Sequence, residues 1–93
     1  MRYRVVLVVR LKEGLLDPQG KAVEGALPSL GWTNVSHVRV GKDVELVVDA
    51  VDEAAVRAQV EEMAHRFLSN PVIEDARIVE VAPAGAAGAP GTR

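Results

Sequence analysis

Apolar and polar residues alternate at the start of the chain, and this pattern predicts a strand over residues 2–12. One face of that strand is apolar throughout. The other face is charged at both ends and apolar in its middle, at Val6 and Val8. Two explanations for this second face stay open: it packs against a partner subunit, or the strand is an interior one that tolerates valine there.

The following stretch carries the start and stop signals of a helix over residues 18–30. Asp17 is suited to cap its first amides, Pro18 to stand at its first position, and Gly31 to follow it in a left-handed conformation. Pro28 removes a backbone hydrogen bond, so the helix is expected either to end near residue 27 or to kink in its last turn.

Two glycines inside this helix call for an explanation of their own. Gly20 and Gly25 each cost about 1 kcal/mol relative to alanine in a helix interior. Such costs predict that another part of the protein packs close to the helix backbone.

Further periodic segments complete the fold. A hairpin is predicted with arms at residues 35–40 and 44–50 around Gly41, then a helix over 52–69, then a strand over 72–81. The second helix has a capping residue, Asp52, and an apolar stripe made of Val56, Val60, Met63 and Phe67. The order β-α-β-β-α-β predicts an α+β fold, an antiparallel sheet with two helices on one face, ferredoxin-like or related. A thin four-stranded sheet also predicts self-association.

Length and composition limit the possible classes. The 93 residues suit one domain, assigned to residues 1–82, followed by a disordered Ala/Gly/Pro tail at 83–93. A net charge of −2 without a basic run argues against nucleic-acid binding, and the absence of cysteine excludes disulfides. The sequence shows no membrane span and no signal peptide, so a cytoplasmic location is expected.

Few residues offer catalytic chemistry. The two histidines, His37 and His65, lack partners at metal-ligand spacing, and the serines lack a base. The free amides at the start of the first helix, with Lys42 expected nearby, form a weak anion-binding arrangement, although helix capping explains the same motif equally well. The loop over residues 13–18 does not suit an acylphosphatase, whereas an ACT-like domain that binds a small ligand stays open as an alternative.

Three motifs together are more specific. Residues 15–27 (LLDPQGKAVEGAL), residues 38–42 (VRVGK), and residues 64–68 leading into 70–75 (NPVIED) closely resemble the PurS family. The resemblance covers residues 1 to about 81 in the same order and spacing. Pro28 and the tail depart from the family pattern.

The resemblance implies a non-catalytic small subunit of phosphoribosylformylglycinamidine (FGAM) synthase, in purine biosynthesis. It implies a synthetase subunit (PurL-like), which uses ATP and Mg, and a glutaminase subunit (PurQ-like), which releases ammonia from glutamine. The small subunit would bridge the two, assist ammonia transfer and form a homodimer or higher homo-oligomer, with no cofactor of its own. The residues expected to contact partners are Asp17, Gln19, Gly20, Lys21, Arg39, Gly41, Lys42, Asn70, Pro71, Ile73 and Glu74. For Asp17, Pro18 and Gly41 a structural role, as cap, helix start and turn, stays open as the alternative.

Overall fold

The protein is described by a computed structural model over residues 1–84. Its strands are β1 (Arg2–Leu11), β2 (Lys42–Asp49) and β3 (Glu74–Pro83). Its helices are α1 (Pro18–Ala26), which a 3-10 turn (Pro28–Leu30) follows, and α2 (Glu53–Met63), which a π-turn (Ala64–Leu68) extends. Residues 85–93, most of the predicted tail, lie outside the described residues, so the tail assignment stays a prediction.

The three strands form one antiparallel sheet in the order β2-β1-β3. Val5 of the central strand pairs with Leu46 on one side and with Val81 on the other. The α+β class with an antiparallel sheet is therefore confirmed. The predicted count of four strands is wrong for the described part of the chain, because residues 35–40 do not form a strand.

The local backbone explains the missing strand. His37 has a φ of 59°, in the left-handed region that interrupts an extended run. The amides on either side of Arg39 donate to side chains instead of a neighbouring strand: Val38 N to Glu24 Oε1 (3.2 Å) and Val40 N to Asp17 Oδ2 (2.8 Å). These bonds fasten residues 38–40 to α1 and to the turn before it.

One face of the sheet carries the core. Side chains at alternate positions of β1 pack against one residue of β2 and against the inner face of α2. The buried core residues are Tyr3, Val5, Leu7, Val9, Val48, Val56, Val60 and Ala64. Helix α1 contributes none of these; Gly20 is its one buried residue. The core therefore depends on α2 and the sheet.

The end of α1 combines the two outcomes expected from Pro28. The α-helix ends at Ala26, and the chain then makes one 3-10 turn that stops at Gly31, whose φ is 107°. The 3-10 turn accommodates Pro28 at its first position, where the missing amide breaks no helical hydrogen bond.

The apolar stripe of α2 differs from the prediction at two residues, Met63 and Phe67, because Met63 is neither part of the buried core nor packed against it. Val56, Val60 and Ala64 are buried as a stripe with a spacing of four, and Leu68 packs against the same core. Phe67 is 86% exposed, so its assignment to the stripe is wrong. The π-turn winds through about one more residue than an α-turn, which brings Leu68 to the core in place of Phe67.

Strand β3 also departs from simple alternation. Val6 pairs with Glu80 whereas Leu7 pairs with Ile78, so Val79 is the extra residue of a β-bulge. The bulge directs both Ile78 and Val81 toward the core and leaves Val79 half exposed.

Candidate functional site

The residues expected to contact partners lie at one end of the sheet, where β1 ends and where β2 and β3 begin; we call this region the loop end. It combines the start of α1, residues 38–42 and the turn at 70–74. A groove of about 480 Å³ in the loop end is lined by five of the eleven predicted residues, Asp17, Gln19, Gly41, Lys42 and Glu74. The expected proximity of Lys42 to the start of α1 is confirmed.

Asp17 is the buried centre of the loop end. Its carboxylate accepts from Gly20 N (2.9 Å), as the predicted cap of α1, and from Val40 N (2.8 Å). These two amides are the main reasons why the pKa of the Asp17 carboxyl is lowered from its ordinary value of 3.8, against the opposing effect of burial. The side chain is therefore a permanently charged structural acceptor at neutral pH.

Gly20 confirms the close approach predicted from its helical position. A Cβ at this residue would lie 2.2 Å from the carbonyl oxygen of Val38 and 3.0 Å from Asp17 Oδ2. Gly25 does not share this role, because a Cβ there would meet nothing within 4 Å. Of the two glycines, Gly20 is the one that the described fold requires.

Gly41 has a similar steric role at the start of β2. A Cβ there would lie 2.4 Å from Arg10 Cγ and 2.5 Å from Val9 O. The glycine therefore allows residues 38–41 to pass against the end of β1.

Arg39 joins these segments from the other side. Its guanidinium donates to Leu11 O and pairs with Glu13 Oε1 at 3.1 Å. Its buried Nε lies 4.0 Å from Asp17 Oδ2 and has no hydrogen-bond partner in the described residues. Arg39 thus holds the end of β1 and the following loop together, with little of its side chain left exposed.

The turn at 70–74 contributes through its backbone. Asn70 N donates to Glu74 Oε1 (2.7 Å), Val72 N donates to Asn70 Oδ1 (3.1 Å), and Lys12 N donates to Ile73 O (2.9 Å). Asn70 and Glu74 therefore stabilise the turn that starts β3, and Pro71 begins that turn.

Lys21 lies outside the groove and faces a different cavity, which Asp17 and Arg39 also line. It lines a pocket of about 220 Å³ together with Leu16, Glu24 and His37. The importance of Glu24 was missed from the sequence, because its partner Val38 lies 14 residues further along the chain. No local signal identifies such a contact.

The polar groups of the loop end are suited to binding. The carboxylates of Asp17 and Glu74 are engaged by backbone amides, whereas the side chains of Gln19 and Lys42 have no partner within residues 1–84. Across the same residues, no group of three metal-ligating side chains occurs, and no helix is long and apolar enough to span a membrane. The arrangement can offer hydrogen bonds and positive charge to a partner.

Comparison with known proteins gives one consistent family. The sequence pattern described as "PurS: Phosphoribosylformylglycinamidine (FGAM) synthase" matches residues 4–82. The phosphoribosylformylglycinamidine synthase subunit PurS of Bacillus subtilis is 45% identical over 75 residues, which cover 81% of this chain and 88% of that protein. The corresponding subunit of Methanocaldococcus jannaschii is 37% identical over 76 residues, 82% of this chain and 92% of that protein.

Solved structures agree with the sequence comparisons. PurS of Thermus thermophilus superposes with a TM-score of 0.78 at 40% identity, covering 89% of this chain and 98% of that chain. The crystal structure of M. jannaschii PurS, described as one of the subunits of formylglycinamide ribonucleotide amidotransferase in the purine biosynthetic pathway, superposes with a TM-score of 0.75 at 37% identity, covering 85% and 94% of the two chains.

Proposed function

The chain belongs to the PurS family, and from this premise we propose that it is the non-catalytic subunit that bridges the other two subunits of FGAM synthase. As a PurS subunit of FGAM synthase it is part of a ligase complex of purine biosynthesis. In this proposal a glutaminase subunit releases ammonia from glutamine. A synthetase subunit uses ATP and Mg to convert formylglycinamide ribonucleotide to the amidine, and this chain assists transfer of ammonia between them.

The proposal rests on which polar side chains of the loop end are already hydrogen-bonded or paired within the chain. The buried carboxylate, Asp17, is occupied by two backbone amides, and Arg39 is occupied by Leu11 O and Glu13. Such groups shape a surface and are not free to move protons. Gln19 and Lys42, both exposed, are left to meet another protein. This favours a docking subunit over a catalytic one.

The ACT-like alternative has no comparable support. A small-ligand site needs an enclosed pocket with convergent polar groups. The pocket beside the middle of α1 is only about 220 Å³ and contains Glu24, which is already bonded to Val38 N. In the larger groove at the start of α1, both carboxylates are already bonded to backbone amides.

The bridging role is tested by leaving this chain out of a reconstituted synthase. With glutamine as the nitrogen source, we expect amidine formation to require this chain together with the synthetase and the glutaminase. With ammonium salts, the synthetase should work without it, because ammonia then arrives from bulk solvent. This chain alone should hydrolyse neither glutamine nor ATP. An equal glutamine-driven rate with and without the chain would show that no bridge is needed.

Substitutions in the loop end test the surface. Gln19→Ala and Lys42→Ala should lower the glutamine-driven rate and leave the melting temperature unchanged, because both side chains are exposed. Each should weaken assembly by about 1–3 kcal/mol where it makes a hydrogen bond that is buried in the complex. Gln59→Ala, an exposed position on α2, is the matched control and should have no effect.

A further inference from the structure

In the groove of the loop end, the positively and negatively charged side chains differ in whether they are already paired within the chain. Two carboxylates and two cations line it: Asp17, Glu74, Arg10 and Lys42. The formal charges cancel, so the count alone predicts no preference for a ligand. The preference depends on which of these groups are already paired.

Both carboxylates are engaged within the chain. Asp17 is buried and accepts from Gly20 N and Val40 N, with the Arg39 guanidinium 4.0 Å away. Glu74 is half-buried and accepts from Asn70 N at 2.7 Å. Both carboxylates keep their negative charge, but amide donors occupy acceptor positions on each of them, and the Arg39 guanidinium partly offsets the charge of Asp17.

Both cations are free within the described residues. Asp75 lies opposite Arg10 in the sheet, but its carboxylate is bound by Lys12 Nζ at 2.7 Å. Lys42 pairs with Val9 through its backbone, and its ammonium group has no acidic partner in residues 1–84. Both side chains are exposed.

The remaining lining makes the groove suitable for a peptide segment. Its apolar part comes from Val9, Leu11, Pro18 and Val40, and Gln19 adds an unpaired amide that can donate and accept. A volume of about 480 Å³ accommodates a few residues of another chain. Apolar contact with a small number of placed polar groups is typical of recognition sites in proteins.

We propose that this groove receives an acidic segment of one of the two larger subunits of FGAM synthase, with a carboxylate placed against Arg10 and Lys42. The inference rests on the proposed bridging function and adds the chemistry of the contact. Unpaired cations at the edge of an apolar groove favour an anionic partner, both by steering its approach and by pairing with it.

The test measures the affinity of this chain for the purified synthetase and for the purified glutaminase, each at low and at high salt. The wild type should bind one of them more weakly as salt rises. The double variant Arg10→Gln/Lys42→Gln should bind that subunit about tenfold more weakly at low salt and should lose most of the salt dependence. Lys42→Arg, which keeps the charge, should retain wild-type affinity.

The matched control removes the same charge elsewhere. Arg2→Gln/Arg77→Gln changes two exposed cations outside the groove and should leave the affinity near that of the wild type. Equal losses in both double variants, or an unchanged affinity for Arg10→Gln/Lys42→Gln, would overturn the acidic-segment proposal while glutamine-driven synthesis still requires the chain. A wild-type chain that binds neither subunit would instead overturn the bridging function itself.

Discussion

At the scale of single residues, Asp17 connects parts of the chain that are far apart in sequence. Its two carboxylate oxygens hold the first turn of α1 through Gly20 N and the residues before β2 through Val40 N, 23 positions away. The same side chain that caps a helix therefore also fixes the path of a connection. Loss of this carboxylate should loosen both elements together.

The pH dependence of stability follows from this role. Because the pKa of Asp17 is lowered in the folded protein, its contribution is complete well above the ordinary pKa of 3.8 and is lost as the pH falls through the folded pKa, which lies below that value. We expect Asp17→Asn to lower the melting temperature at neutral pH by several degrees. The difference from wild type should shrink below pH 3.8. A difference that stays constant in acid would show that the charge of Asp17 is unimportant.

The two glycines of α1 should respond in opposite directions to alanine. Gly20→Ala places a Cβ against Val38 O and should lower the free energy of unfolding by about 1–3 kcal/mol. Gly25→Ala places a Cβ in open space and should raise it by about 0.5–1 kcal/mol, because alanine is the better helix former. Urea unfolding of the two variants measures both values. Destabilisation by Gly25→Ala would indicate that a partner covers this side of α1.

At the scale of elements, the π-turn at the end of α2 decides which large side chain reaches the core. Residues 64–68 keep Ala64 and Leu68 on the inner stripe and turn Phe67 outward. The element thereby buries a smaller aliphatic side chain and exposes an aromatic one.

This exchange can be tested by substituting neighbouring residues. Leu68→Ala should lower the free energy of unfolding by about 1–2 kcal/mol, since it removes a partly buried side chain that packs on the core. Phe67→Ser should leave the stability of the isolated chain within about 0.5 kcal/mol, as for other exposed positions. Chemical denaturation compares the two, and a larger loss for Phe67→Ser would place Phe67 in the core after all.

At the scale of the whole molecule, the chain is elongated. Its radius of gyration is 16.6 Å, compared with about 12 Å for a compact domain of this length. Helix α1 and its following turn contribute no side chain to the core. Apolar residues in this region stay exposed, among them Leu30 at 66% and Trp32 at 55%.

Self-association stays a prediction, and we expect it to use the exposed apolar residues that follow α1, among them Leu30 and Trp32. The second face of β1, with Val6 and Val8, is less open than the sequence suggested, because Val6 is buried and Arg4 bridges Glu45 and Glu80 across that face. We therefore expect Trp32→Ser to shift the protein toward monomer more than Val8→Lys does. Sedimentation at several concentrations measures this shift. A wild type that is monomeric at every concentration would contradict the prediction.

Most of the strands and the helix starts could be predicted from the sequence alone, because they depend on residues that are close together in the chain. Alternation predicted β1, β2 and most of β3, and the caps Asp17 and Asp52 marked the starts of the two helices correctly, whereas Gly31 ends the 3-10 turn and not α1 itself. The shared motifs predicted the family and grouped residues that the fold brings together in the loop end. Whether those residues contact partners stays a prediction.

Tertiary structure decided the features that depend on competition between distant groups. Residues 35–40 alternate like a strand, yet the amides of Val38 and Val40 are bound by Glu24 and Asp17, which lie 14 and 23 residues away. The bulge at Val79 and the π-turn at residues 64–68 likewise change which side chains face the core. The spacing of apolar residues shows which face a segment is able to bury. Which groups actually contact that segment is decided only by the packing of the whole chain.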